Sequence, residues 1–207
     1  MVSKVDPRHL RYKDVLTAVK GSLRRLKTNY LDLYLIHAPN DQVPLSETMK
    51  AMDKLVLEGL VKNIGVSNFK TTRLQEAQKY TENKIVTNQV YYNVQQREPE
   101  YEGLLEYCQK NDVILTAYRP MDKGDLLENI PEIILRLGEK YGKTPVQIML
   151  NWLISQMNVV TLSKITNSQH LEEDLGALGW EMENKDIEKL RKSYPNQSKR
   201  SERHPLL

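Results

Sequence analysis

The sequence predicts an α/β fold of the (β/α)8 TIM-barrel kind, incomplete, with about six βα units present. Three observations carry this. Short β-rich runs alternate with amphipathic helical runs to the end of the chain; the strand runs are almost continuously apolar; and no GxGxxG follows the first of them. Apolar runs separated by helices indicate parallel pairing through crossovers, with both sheet faces covered. The absent glycine fingerprint argues against a doubly wound dinucleotide-binding fold.

The elements follow in order. The first strand is "MVSKV" (1–5), then a helix through "YKDVLTAVKGSLRRL", where Val15, Leu16, Val19, Leu23 and Leu26 recur every three or four residues. "LDLYLI" is the second strand, and "SETMKAMDKLVLEGL" the next helix, with Ser46 as its expected N-cap. "VKNIGVS" is the third strand, before a helix through "TTRLQEAQKY". "KIVTNQV" is the fourth, before one helix through "PEYEGLLEYCQKN", and "DVILTAY" is the fifth. Helical sequence in two pieces around "YGKTP" follows, with Pro145 at the favoured first helical position. "NVVTLSK" is the sixth strand, and "SQHLEEDLGALG" and "NKDIEKLRKSY" are closing helices. Residues 1–197 form the barrel domain, and the basic "SKRSERHPLL" (198–207) is expected to be a mobile tail.

Composition narrows the function classes. Thirty Lys and Arg against 27 Asp and Glu leave a net charge of +3, with both signs mixed along the chain. No clustered basic stripe of the kind nucleic-acid binders use is present. The single cysteine, Cys108, excludes an internal disulfide. No run approaches the ~20 apolar residues of a membrane span, and "MVSKVDPRHL" lacks the apolar segment of a signal peptide. A soluble, reduced, cytoplasmic protein is expected, without membrane or nucleic-acid partners.

On this fold active sites lie at the C-terminal ends of the strands. Those ends carry Lys4, His37, Ser67-Asn68, Asn88-Gln89, Tyr118-Arg119 and Lys164. Any single polar strand end is ordinary, but six in succession mark a binding rim. His37, with Pro39 directly behind it forbidding continuation, ends an otherwise apolar strand.

The segments "GLVKNIGVSNF", "LDLYLIHAP", "TNQVYYN", "LLEYCQKNDVILTAYRP" and "KYGKTPVQIMLNW" resemble successive signatures of the aldo-keto reductases, in register over essentially the whole chain. The resemblance implies reduction of an aldehyde or ketone by hydride from a nicotinamide cofactor, NADPH rather than NADH, with a small carbonyl compound as substrate. It implies catalytic roles for Lys4 and His37. Members also use an aspartate and a tyrosine, the tyrosine protonating the carbonyl oxygen with its pKa lowered by the lysine. None of the eleven tyrosines matches that position, and the chain is expected to start inside the family's third strand. It is therefore expected to lack two βα units, to be weakly active or inactive, and to expose strand edges near Val2 and Val160 that promote association.

For the cofactor the resemblance implies Ser67, Asn68 and Gln89 on the nicotinamide carboxamide, whose one acceptor and two donors this trio can match. It places Tyr118 against the nicotinamide ring, and Lys164 on a phosphate at a helix N-terminus that favours anions. Arg119, Asn167, His170, Glu173 and Asp174 complete the cofactor set. Asn167 or Ser168 can equally cap that helix. The chain departs from the usual pattern at Ser163, Ile165 and His170, which removes donors for a 2′-phosphate. It also departs at Ala38, where a bulky aromatic is common, and at Arg119, where serine is common. Two other readings stay open: a cofactor-binding regulatory or redox-sensing protein with a reductase-like barrel, and a remnant without function. Neither the substrate nor the oligomeric state is legible here.

Overall fold

The β-rich runs all become strands of one parallel sheet. A computed structural model describes residues 1–207. Its six strands are β1 (Val2–Val5), β2 (Leu31–Ile36), β3 (Val61–Ser67), β4 (Ile85–Tyr91), β5 (Ile114–Tyr118) and β6 (Val159–Leu162), ordered β1-β2-β3-β4-β5-β6. The expected strands "LDLYLI" and "VKNIGVS" are reproduced to the residue. Expectation and structure differ at β5, where Asp112 takes the left-handed conformation (φ 51°) and extended pairing begins at Ile114. Val2 on β1 and Val160 on β6 are 55% and 44% exposed.

The chain forms two compact units. The first comprises Met1–Gln89, Glu102–Ile114 and Leu206–Leu207. It contains α1 (Tyr12–Leu26), α2 (Leu45–Leu57), α3 (Thr71–Lys79) and α5 (Leu104–Lys110), with β1 to β3 and most of β4. Val15 and Val19 of α1, Met49, Met52 and Leu55 of α2, and Leu35, Ile36, Ile64 and Val66 of the strands are all buried in its core. Gly65 lets β2, β3 and β4 pack closely. A Cβ there would stand 2.6 Å from the Leu35 side chain and 3.0 Å from the Thr87 carbonyl oxygen. The expected Ser46 cap is corrected: α2 starts one residue earlier behind Pro44, without a side-chain cap. Proline's fixed φ already suits a helix entry.

The second unit comprises Val90–Tyr101 and Leu115–Pro205. It contains α4 (Glu98–Tyr101), α6 (Asp125–Glu128), α7 (Glu132–Tyr141), α8 (Pro145–Ile154), α9 (Ser168–Leu175) and α10 (Asn184–Ser193). The single helix expected over 99–111 is in fact α4 and α5, because Gly103 adopts φ 67° between them. Pro145 opens α8 as expected, behind a Thr144–Gln147 capping box. Trp152 is fully buried with the Arg97 guanidinium 4.5 Å from its ring. Arg97 is matched by Glu100 at 2.6 Å, whose carboxylate also takes Arg191 at 2.9 Å. No helix is long and apolar enough to cross a membrane.

Candidate active site

In the first unit, parallel register delivers the strand-end residues. Lys4 pairs with Leu35, Val5 with Ile36, and the His37 backbone N–H then donates to the Val5 carbonyl at 3.0 Å. The ammonium of Lys4 has no carboxylate partner, and burial lowers its pKa. His37 stands exposed at the strand mouth. Desolvation lowers its pKa, the nearby Lys4 charge adds to that, and Asp6 opposes it. Both shifts favour a neutral imidazole at physiological pH. Asp6, held as a carboxylate by Arg8, is an electrostatic neighbour that the sequence analysis did not single out, although it lies two residues beyond Lys4.

The next strands are stitched to His37. Ser67 pairs in register with Gln89, and its Oγ donates to the Gln89 carbonyl at 2.7 Å. Asn68, left-handed at φ 62°, donates from its backbone N–H to the same carbonyl at 2.9 Å. Its Nδ2 reaches the His37 carbonyl at 3.2 Å and Ser67 Oγ at 3.1 Å. Asparagine tolerates that conformation better than most residues. Gln89 is 5% exposed. A primary amide at a strand end can both donate and accept, which suits a ligand that is itself a primary amide. The first unit therefore brings Lys4, His37, Ser67, Asn68 and Gln89 together at successive strand ends. Leu207 pairs here too: its N–H donates to the Asn68 carbonyl at 2.9 Å, and its carbonyl accepts from Lys70 N–H at 3.0 Å.

In the second unit Tyr118 ends β5, and its ring stacks on Tyr91 with centroids 5.8 Å apart and planes 12° apart. Burial pushes the Tyr118 phenol up to about 12, so this hydroxyl stays protonated. Arg119 follows at φ 56°, its carbonyl held by Asn93 Nδ2 at 3.0 Å. Its guanidinium lies 5.7 Å from the Tyr91 ring and 3.8 Å from Asp122. Lys164 lies two residues beyond the end of β6 and is exposed, as are Asn167 and His170. Asn167 caps α9, accepting from His170 N–H at 2.8 Å. Glu173 and Asp174 lie further along α9 and are partly buried.

Residues 198–204, within the segment expected to be a mobile tail, carry their own bonds in this unit. Ser198 exchanges backbone hydrogen bonds with Gln95 and Arg97, both 2.9 Å. Ser201, 2% exposed, donates from its N–H to Glu98 at 3.0 Å. His204 meets both Tyr91 and Tyr118 edge-on. No periodicity could have singled it out in a ten-residue polar end.

A parallel α/β chain with polar strand ends of this composition defines a class, and comparison with known proteins gives the family. Residues 1–195 match the model of the aldo/keto reductase family, to which the chain belongs. It is 34% identical over 190 residues to the glyoxal reductase of Bacillus subtilis (strain 168), covering 92% of this chain and 66% of that protein. The chain thus spans about two thirds of the length of such relatives. Among solved structures it resembles the thermostable aldo-keto reductase Tm1743 in complex with the inhibitor epalrestat, at TM-score 0.87 and 42% identity over 92% of this chain and 69% of that one. An aldo/keto reductase from Klebsiella pneumoniae, in complex with NADP and acetate, gives TM-score 0.87 and 34% identity over 100% of this chain and 74% of that one.

Proposed function

We propose that the chain takes part in nicotinamide-dependent reduction of a small aldehyde or ketone, with NADP preferred to NAD, in the reducing cytoplasm. The bonded run of Ser67, Asn68 and Gln89 beside His37 carries this reading. When bound, the nicotinamide supplies the hydride. The chain's residues bind and orient. Gln89, with Ser67 and Asn68, offers the donors and acceptors a carboxamide needs, Tyr118 offers a ring face, and Lys164, with Arg119, a cationic hold on phosphate. At α9, Asn167 caps the helix entry, with His170, Glu173 and Asp174 along the remaining cofactor surface.

A neutral His37 donates a hydrogen bond to the substrate carbonyl oxygen. Lys4 keeps a positive charge near that oxygen as negative charge develops on it. A dicarbonyl such as glyoxal fits the name of the Bacillus relative. We also propose that no residue of this chain takes the general-acid role, so that its own turnover is slow, because a positioned general acid contributes roughly 10²–10⁴-fold.

Titrating the chain with NADPH while following cofactor fluorescence, then assaying glyoxal reduction, tests both parts. Gln89→Ala should raise the NADPH Kd by about tenfold. No binding of NADPH or NADH at millimolar concentration would overturn the reading. Fast glyoxal turnover would overturn only the absence of the acid. Tight binding with slow turnover is the outcome expected here.

A further inference from the structure

The three aromatic rings at the rim of the second unit form a closed set. Tyr91 and Tyr118 lie nearly parallel, and the His204 imidazole stands across both, at 86° and 5.7 Å from Tyr91 and 82° and 5.9 Å from Tyr118. Edge-to-face and offset-parallel rings are the favoured aromatic geometries and add attraction beyond buried area. A ring triangle of this kind fixes the tilt of its members, since no ring can turn without losing two contacts.

His204 is itself held. Its backbone N–H donates to Ser201 Oγ at 2.9 Å, and Ser201 N–H donates to Glu98 at 3.0 Å. Ser201 and Glu98 are both almost fully buried. Upstream, Ser198 bridges to Gln96 beside α4. The segment is therefore anchored at two points before it delivers the imidazole. Desolvation, helped by the charges of Arg119, Lys123 and Arg203 and opposed by Asp122, lowers the His204 pKa.

We infer that His204 is a positioning residue for nicotinamide binding: its ring sets the tilt of Tyr118, and the 198–204 segment exists in part to bring it there. This rests on the assignment of Tyr118 to the nicotinamide proposed above. It also makes a distinct statement, because a residue that only stabilised the fold would affect every part of the cofactor alike.

The test compares two ligands on the full chain: NADPH, and 2′-phospho-adenosine diphosphate ribose, which has the same phosphates and adenine but no nicotinamide. His204→Ala should weaken NADPH about two- to tenfold, the range of an aromatic pair, and leave the nicotinamide-free ligand unchanged. His204→Phe, which keeps the edge-on ring, should restore NADPH affinity. Equal weakening of both ligands, no change in either, tighter NADPH binding, or failure of phenylalanine to rescue would each overturn the inference. Absence of NADPH binding to the unaltered chain would sink the proposed function and this inference with it. Normal binding that ignores His204→Ala sinks this inference alone.

Discussion

The site residues of the first unit and those on α9 of the second are built in opposite ways. Lys4, His37, Ser67 and Gln89 sit at the ends of adjacent parallel strands, where register sets their spacing and hydrogen bonds of 2.7–3.2 Å hold Ser67 and Asn68. Lys164, Asn167 and His170 lie in an exposed turn and helix entry, where one capping bond is the principal restraint. In the first group Ser67 and Asn68 are held in place before any ligand arrives. The second must lose side-chain freedom on binding, at roughly 0.5–1.5 kcal/mol per flexible side chain. On the proposed assignment, the reacting end of a cofactor meets residues spaced by sheet register, while its phosphate meets the exposed Lys164.

The comparison can be broken most severely at Gly65. With Leu35 and Thr87 atoms 2.6–3.0 Å from where a Cβ would stand, Gly65→Ala overpacks the three strands that present His37, Ser67 and Gln89. A loss of about 1–3 kcal/mol is expected, read as a lower urea midpoint, together with weakened NADPH binding. Unchanged binding would show that strand spacing does not set the site.

A smaller effect is expected from Asn167→Ala, which removes the α9 cap. About 1 kcal/mol of local stability should go, seen as faster amide exchange confined to 168–175, with the urea midpoint of the whole chain barely moved. A global shift would contradict the view of this helix entry as a weakly coupled element.

The smallest effect has the opposite sign. Burial lowers the folded pKa of Lys4 below 10.5. The unfolded chain therefore binds more protons in the window below that value, and stability rises with pH across it. At pH 7 the charged, unpartnered ammonium costs stability. Because the ammonium is only half-buried and solvent screens it, Lys4→Met should raise stability by only ~0.5 kcal/mol, read as a higher thermal midpoint, and should flatten the rise of stability between the lowered pKa and 10.5. A destabilised variant would mean that Lys4 has a structural role instead of a place in the site.

Strand positions were the most legible part of the chain. "LDLYLI" and "VKNIGVS" are bounded correctly because each is short, rich in β-forming or branched residues at its buried positions, and flanked by helical sequence, the pattern of a parallel strand between crossovers. Errors fell where backbone conformation overrode composition. Gly103 broke a helix that amphipathic spacing alone would continue, and Asp112 turned left-handed before β5. Ser46 looked like a cap but lay inside the helix, since Pro44 had already set the entry angle.

The sequence by itself determined the run of strands and the polar residues at the ends of β2 and β3, because these are written locally; β4 continues past Gln89 to Tyr91 and β6 stops two residues before Lys164. It determined family membership for the same reason, since the signatures are local runs. Only the tertiary structure decided how those residues are held. Asn68 is tied to His37 and to the Gln89 carbonyl across three strands. His204, in a segment whose composition suggests a loose end, crosses the rings of Tyr91 and Tyr118. Contacts of that kind join residues far apart in the chain. They leave no period, cap or spacing in the sequence, because the folded backbone alone sets the distance between them.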